Sequence, residues 1–386
     1  MRIAIYGGSF DPPHLGHVEA ARAVLRELEP DKLLIIPAFQ PPHKTLSAGS
    51  PAPKERLRLT RLAFEGMERT EVSDIEIASG GRSYTVNTLE KLRDIYPDAE
   101  LVLVMGTDML LSFEQWRDFR RIFTMAELGT FIRNAEDRQN VCNFAAYLRD
   151  TYYAMVSYVP HKPLEVSSTE IRRLLPERKG FEYLPEKVYA EIIRLRLYGA
   201  KPELAWLRRD SQQYLNPRRI PHVEGCEREA RKLAERWGED PDTAAEAGIL
   251  HDITKKLVLD EQLILCQKYG IINDTLENTS TKLLHGKTGA ALARERYGVS
   301  DEVYEAIRWH TTGKPGMTLL EKIVYLADYI EPTRDFDGLD ELRALAYSDL
   351  DAALALGLRM TLEELKEKGI AAHRNTVDAL EYYGRR

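Results

Sequence analysis

Along the first 200 residues, short apolar runs alternate with longer stretches whose apolar positions recur every three to four residues. That alternation predicts βαβ units around a parallel sheet. Strands are expected at 2–6, 32–37, 72–77, 101–105, 130–133 and 154–159, and helices at 17–28, 54–66, 85–95 and 142–149. After Pro185 the pattern changes. A helix is expected over 187–197, then Tyr198-Gly199 and the polar Lys201-Pro202, and no later run has the period of a strand. Helical periodicity occupies 224–237, 241–257, 259–269, 287–297, 301–309, 319–330 and 360–368, with Gly, Pro and Asp at the stops and caps. The chain thus divides near 199–203 into an α/β domain, 1–199, and an all-α domain, 200–386.

Length and composition agree with this division. A chain of 386 residues exceeds one ordinary core, and 44% hydrophobic with 30% charged residues suits a folded globular protein. The net charge of -7 falls mainly on the second part: 27 Lys and Arg meet 28 Asp and Glu in 1–200, and 27 meet 33 in 201–386. Differently solvated surfaces account for that, and no basic face argues for nucleic acid. Cys142, Cys226 and Cys266 form no CxxC pair and read as reduced thiols. The N-terminus reads as a strand rather than a leader, and the apolar runs are too short to span a bilayer. A cytoplasmic protein without membrane contact is expected, with a homo-oligomer left open.

Candidate chemistry begins at the first turn. Gly7, Gly8, Ser9 and Phe10 follow the first strand and lead through Asp11-Pro12-Pro13 to His14 and His17 at the start of a helix. Backbone without Cβ atoms and helix N-terminal amides can approach a phosphate closely. Imidazoles there could donate to the triphosphate of a nucleotide under attack by another phosphate; a metal-ligating pair or an ordinary helix start fits the same two histidines. Downstream, Val166-Ser-Ser-Thr-Glu-Ile-Arg172 reads as a second helix start, with Ser168 or Thr169 as N-cap and Arg172 one turn on. Together the two segments suggest the jaws of a triphosphate clamp.

On these segments residues 1–199 resemble bacterial nicotinate-nucleotide adenylyltransferases. The resemblance extends through Ile36-Pro37, Pro41-Pro42-His43-Lys44, Ser83-Tyr84-Thr85, Thr88-Leu89, Gly106-Thr107-Asp108 and Trp116. It implies a Rossmann-like nucleotidyltransferase fold and transfer of an adenylyl group from ATP, with Mg2+, to nicotinate mononucleotide. It implies His14, His17 and Arg172 as the catalytic set and places Ser168, Thr169 and the 7–10 loop near ATP, with Lys44 near the phosphates. Gly106 and Asp108 would line the nucleotide pocket, and Thr85 and Trp116 would hold the mononucleotide. Gln40 departs from the asparagine or small residue of many relatives. Other members of the superfamily, with a different acceptor, are the alternative.

The second half carries His222, the pair His251-Asp252, His285, His310 and Asp328, with each histidine within or at the end of a separate predicted helix. An aspartate bridging two metals, with histidines on the flanks, could clamp a phosphate and its leaving oxygen. Imidazole and carboxylate ligands suit Fe or Mn better than a thiolate zinc site. Lys255, one turn beyond the pair, either reaches a substrate phosphate or is a solvated helix lysine. Arg219-x-x-His222, Leu250-His-Asp-Ile253, His285-Gly286, His310-Thr-Thr-Gly313 and Ala327-Asp-Tyr-Ile-Glu-Pro332 resemble the HD-domain phosphohydrolases, within them the symmetrical diadenosine-tetraphosphate hydrolases. That resemblance implies one metal on His222, His251, Asp252 and Asp328, and a second on Asp252, His285 and His310. Asp252 and Lys255 are the catalytic candidates of this half, and the resemblance implies diadenosine tetraphosphate as substrate. The alternative is a nucleotide-sensing helical module without catalysis.

Overall fold

Ile3, Ala4 and Ile5 are buried and leave no solvent-facing side, as befits a central parallel strand covered by helices on both faces. A computed structural model describes the chain except His43, Lys44, Arg133, Asn134, Pro163, Arg386 and the side chains of 135–137. It divides into two units, Met1–Lys201 and Pro202–Arg386.

The first unit is built on six strands: β1 (Arg2–Gly8), β2 (Lys32–Pro37), β3 (Thr70–Val72), β4 (Glu100–Met105), β5 (Glu127–Ile132) and β6 (Val156–Pro160). All pairings are parallel, in the order β3-β2-β1-β4-β5-β6. The helices are α1 (Leu15–Glu27), α2 (Pro53–Ala63), α3 (Ile75–Ser79), α4 (Thr85–Ile95), α5 (Thr107–Leu111), α6 (Phe119–Phe123), α7 (Ala135–Tyr152), α8 (Ser168–Leu174) and α9 (Glu186–Leu195). Strand order reverses between β1 and β4, where Tyr6 lies opposite Val104. The carboxyl ends of these two strands therefore open the crevice where ligands of such sheets bind. Gly7 and Gly8 end one strand and Gly106 follows the other.

The strand expected at 72–77 is corrected: pairing with β2 ends at Val72, and Ile75–Ser79 is helical. An edge strand bonded on one side only is easily left after three residues. The last two strands lie at Glu127–Ile132 and Val156–Pro160 rather than 130–133 and 154–159, and the helix between them is far longer than 142–149.

The second unit is a stack of helices: α10 (Leu204–Ser211), α11 (Ile220–Trp237), α12 (Pro241–Leu250), α13 (Leu259–Tyr269), α14 (Thr281–Tyr297), α15 (Asp301–Trp309), α16 (Leu319–Ile330), α17 (Leu339–Ser348), α18 (Leu350–Glu367) and α19 (Arg374–Tyr383). Among the described residues it contains no strand, and among the described residues of the whole chain no helix is long and apolar enough to cross a membrane. α11 packs on α12 and α16, and α15 on α14 and α16. The helix expected over 241–257 stops at Leu250, with turns through 256. There the His251 ring takes the Gly248 carbonyl at 2.7 Å, in place of the next backbone amide. α10, α17 and α19 had no counterpart in the periodicity, and α18 begins ten residues before the stretch at 360–368.

Gly248 permits the α11–α12 contact. A Cβ built there would lie 2.9 Å from the Glu227 Cα and 3.1 Å from its amide nitrogen. Gly248→Val is expected to force the helices apart and destabilise the helical unit by about 1–3 kcal/mol. Chemical denaturation would reveal this as a lower midpoint; an unchanged midpoint would mean that the contact relaxes freely.

Candidate active sites

The crevice at the end of β1 is lined by a loop held from three sides. The Ser9 carbonyl accepts from Arg56 (2.8 Å), the Asp11 carbonyl from Arg172, and the Pro12 carbonyl from Ser168 (2.9 Å). Arg56 is wholly buried and also donates to the Phe39 carbonyl at 2.8 Å. The loop ends at His14, the extended N-cap of α1. His14 and His17 face each other with ring centroids 3.8 Å apart. The His14 amide donates to His17 Nδ1 at 3.2 Å, so the proton of a neutral His17 resides on Nε2, available to an anion. His14 Nδ1 is buried without a hydrogen-bond partner. Gly16 leaves room for that ring, since a Cβ there would stand 3.0 Å from Cε1 and Nδ1 of His14. Burial lowers the His14 pKa to about 4, and burial together with His14 holds His17 well below its ordinary value.

The other expected residues are distributed around this crevice. Phe10 packs edge-on against His17 at 5.0 Å. Thr85, at the start of α4, and Trp116 line one pocket with Pro42, Tyr84, Met109 and Arg117. Gly106 caps α5, and Asp108 is exposed on its first turn. The N-cap of α8 is corrected to Ser167, whose hydroxyl accepts from the Glu170 amide at 3.1 Å. Ser168 is thereby free to hold the Pro12 carbonyl. Thr169 accepts from Arg172 at 3.1 Å, and Ser47 from the same guanidinium at 2.9 Å. Lys44 lies outside the described residues.

In the helical unit the six expected metal-type residues converge. His222 comes from the first turn of α11, His285 from α14 and Asp328 from α16, while His251 and His310 follow the last residues of α12 and α15. His251 and His310 each direct Nδ1 to the carbonyl three residues back, Gly248 at 2.7 Å and Ile307 at 2.6 Å. His222 directs Nδ1 to the buried Glu331 carboxylate at 2.9 Å. These bonds place the protons on Nδ1 and leave Nε2 lone pairs facing inward. The Nε2 atoms of His222 and His251 are 3.3 Å apart, and those of His285 and His310 are 2.9 Å apart. Ring nitrogens so close repel unless a proton or a metal cation lies between them.

The carboxylates complete the arrangement. Asp252 Oδ1 lies 3.2 Å from His285 Nε2 and 3.8 Å from His310 Nε2. Its Oδ2 lies 3.5 Å from His251 Nε2 and 3.7 Å from His222 Nε2. Asp328 Oδ1 is 3.1 Å from His222 Nε2. One aspartate therefore turns its two oxygens to two sets of imidazoles. Asp252 Oδ1 is buried with no hydrogen-bond partner. A buried carboxylate oxygen without a hydrogen-bond partner among converging imidazole nitrogens fits divalent cations. Burial raises the Asp252 and Asp328 pKa values, but neighbouring imidazoles outweigh it and hold both well below the carboxylate range. Lys255 is not a solvated lysine: Nζ sits 2.9 Å from His285 Nε2 and 3.8 Å from Asp252 Oδ1, and burial lowers its pKa.

A further group, Asp274, Glu277 and His373, is close enough to hold an ion. His373 Nδ1 accepts the Asn375 amide at 3.2 Å, which puts the ring proton on Nε2, and Lys287 already sits 2.6 Å from Glu277 Oε1. This group ties α14 and the start of α19 to the segment between α13 and α14. Several neighbours of the sites had no role assigned from sequence. Arg219 pairs with Asp252, Arg334 donates to Asp328 Oδ1 at 2.7 Å, and Thr311 lies 3.2 Å from both His285 and His310 Nε2. Arg219 had a signal, one turn before His222; Arg56 had none, since a buried helix arginine reads like any surface one.

The cytidylyltransferase-like family model matches residues 5–174 and the HD domain model residues 219–333. The first unit is a nucleotidyltransferase and the second an HD domain, a class of metal-dependent hydrolases. Over 218 residues the chain is 35% identical to a Desulfatibacillum aliphaticivorans protein named "Probable nicotinate-nucleotide adenylyltransferase", covering 51% of this chain and 100% of that one. Over 158 residues it is 41% identical to the symmetrical bis(5'-nucleosyl)-tetraphosphatase of Bacillus subtilis, covering 41% and 84%. Over 385 residues it is 27% identical to the Mycoplasma genitalium "Probable nicotinate-nucleotide adenylyltransferase/Ap4A hydrolase", covering 95% and 99%. The chain belongs to the nicotinate-nucleotide adenylyltransferase family through its first unit and to the symmetrical tetraphosphatase family through its second.

The buried imidazoles of the first unit set a pH dependence. Below about pH 6.5 the unfolded chain takes up protons, whereas folded His14 resists until about 4. Stability is therefore expected to fall as pH drops from 6.5 toward 4. An NMR titration of the nucleotide-free protein should find His14 neutral through that window; a midpoint near 6.5 would mean a solvated ring.

Proposed function

We propose that the chain carries two activities: adenylyl transfer from ATP to nicotinate mononucleotide, and hydrolysis of diadenosine tetraphosphate to two ADP. The observation that carries the first is the fixed proton on His17 Nε2 beside the N-terminus of α1. In this reading the mononucleotide phosphate attacks the α-phosphorus of ATP, a new P–O bond forms, and the α–β bridging oxygen leaves with pyrophosphate. The attacking oxygen is already nucleophilic, so the protein supplies alignment and donors where negative charge grows. His17 donates through Nε2, and His14 stands against it with ring centroids 3.8 Å apart. Mg2+ neutralises part of the triphosphate charge when ATP is bound. Thr85 and Trp116 hold the acceptor, with the indole against the pyridine ring.

The second activity is carried by Asp252, with its two oxygens turned to separate imidazole sets. His222, His251, Asp252 and Asp328 would hold one divalent metal, and Asp252, His285 and His310 the other, with Fe or Mn suited to these donors. Such a pair supplies Lewis acidity and an activated water when bound. Glu331 and the Gly248 and Ile307 carbonyls orient the imidazoles. Lys255, Arg219 and Arg334 line the same centre and supply positive charge for phosphate oxygens.

Purified protein with ATP, Mg2+ and nicotinate mononucleotide is expected to release pyrophosphate and form deamido-NAD. His17→Ala should slow this by about 10²–10³ and spare hydrolysis; unaltered transfer would sink the first assignment. Diadenosine tetraphosphate with Fe or Mn should give ADP alone, and products of ATP plus AMP would exclude the symmetrical reaction. Asp252→Asn should shed metal by elemental analysis and lose more activity than the roughly 10–100-fold typical of outer-shell partners.

A further inference from the structure

The transfer-site loop is tied to the far end of its own unit by one side chain. Asp11 is 2% exposed. Its Oδ1 accepts from the Tyr198 hydroxyl at 2.9 Å and its Oδ2 from Ser50 Oγ at 2.6 Å, with Arg172 Nη1 3.6 Å from Oδ2. Tyr198 stands 187 residues from Asp11 in sequence and three before the last residue of the unit. The segment around it is unusual: Arg196 and Tyr198 have φ of 51° and 60°, and Gly199 follows at 67°. Two side-chain-bearing residues in the left-handed region within three positions need an anchor. The buried phenol–carboxylate bond provides one.

The electrostatics give the contact a consequence for catalysis. Asp11 places a buried negative charge in the loop that we read as receiving a triphosphate. That charge is tolerable only if donors share it, and Tyr198, Ser50 and Arg172 do so from three different segments. Removing the phenol oxygen leaves Asp11 Oδ1 without that donor. The carboxylate is then drawn further to Arg172, whose other contacts are the Asp11 carbonyl, Ser47 and Thr169. The loop would shift at the carbonyls that lead directly into His14.

We propose that Tyr198 is a positioning residue for the transfer site: its hydroxyl fixes the Asp11 carboxylate and so holds the 9–14 loop in register with His14 and His17. The proposal rests on the adenylyl-transfer reading for its catalytic consequence. It does not depend on which acceptor is used.

The test uses the full chain and the Tyr198→Phe and Asp11→Asn variants, alone and combined. Calorimetric titration with a non-hydrolysable ATP analogue, with Mg2+, reads the loop directly. Tyr198→Phe is expected to weaken analogue binding and lower kcat/KM for ATP about tenfold, as for loss of a hydrogen bond to a charged group, while KM for nicotinate mononucleotide and diadenosine tetraphosphate hydrolysis stay unchanged. In the Asp11→Asn background the same substitution should have little further effect. A full effect in that background, no effect at all, or a parallel loss of hydrolysis would overturn the proposal. Should wild-type protein bind the analogue yet make no deamido-NAD, the acceptor assignment fails while the binding comparison still decides the role of Tyr198.

Discussion

What an imidazole can do at one ring nitrogen is decided by the hydrogen bond at the other. In the first unit His17 Nδ1 accepts a backbone amide, so Nε2 carries hydrogen and suits an anion. In the second, His251 and His310 donate Nδ1–H to helix carbonyls and His222 donates to Glu331, so Nε2 presents a lone pair and suits a cation. The same residue type therefore builds two sites of opposite preference in one chain. For His17, His251 and His310 secondary structure makes the choice, since a helix N-terminus offers spare amides and a helix C-terminus spare carbonyls; for His222, in the first turn of α11, the Glu331 carboxylate makes it.

Both centres also keep buried charge in place by surrounding it. Asp252 lies among four imidazoles, Lys255 and Arg219. Asp11 lies among two hydroxyls and a guanidinium. A buried ion is strongly destabilising when one partner is removed, because the remaining charge cannot be rehydrated. Such networks commit the backbone around them. The carbonyls of Ser9, Asp11 and Pro12 are held by Arg56, Arg172 and Ser168, so the loop is ordered before any ligand arrives. Preorganised donors cost no rearrangement at the moment of reaction.

Much of this was legible from residues alone. The alternation of apolar runs gave a parallel sheet followed by helices, and both stand in the structure. The failures have local causes. Residues 72–77 read as a strand because Ile75 and Ile77 are apolar, yet they lie beyond the last β3 pairing. Helix α18 was half missed because small residues, Ala353, Ala355 and Gly357, share its buried face with Leu350, Leu354 and Leu358 and weaken the contrast. Ser168 and Thr169 were equally good N-caps on paper, and Ser167 took the role because its hydroxyl reaches the Glu170 amide.

Sequence by itself determined which side chains were available and near which elements: six metal-type residues on helices or at their ends, two histidines after the first strand, a serine-threonine-arginine segment downstream. These follow from residue type and spacing, which local periodicity records. The tertiary structure alone decided which oxygen of Asp252 faces which imidazoles, which ring nitrogen of each histidine is spent on backbone, and that Arg56, Glu331 and Tyr198 belong to the sites. Those facts depend on contacts between segments up to 187 residues apart, and no local pattern encodes the direction in which a side chain will find its partner.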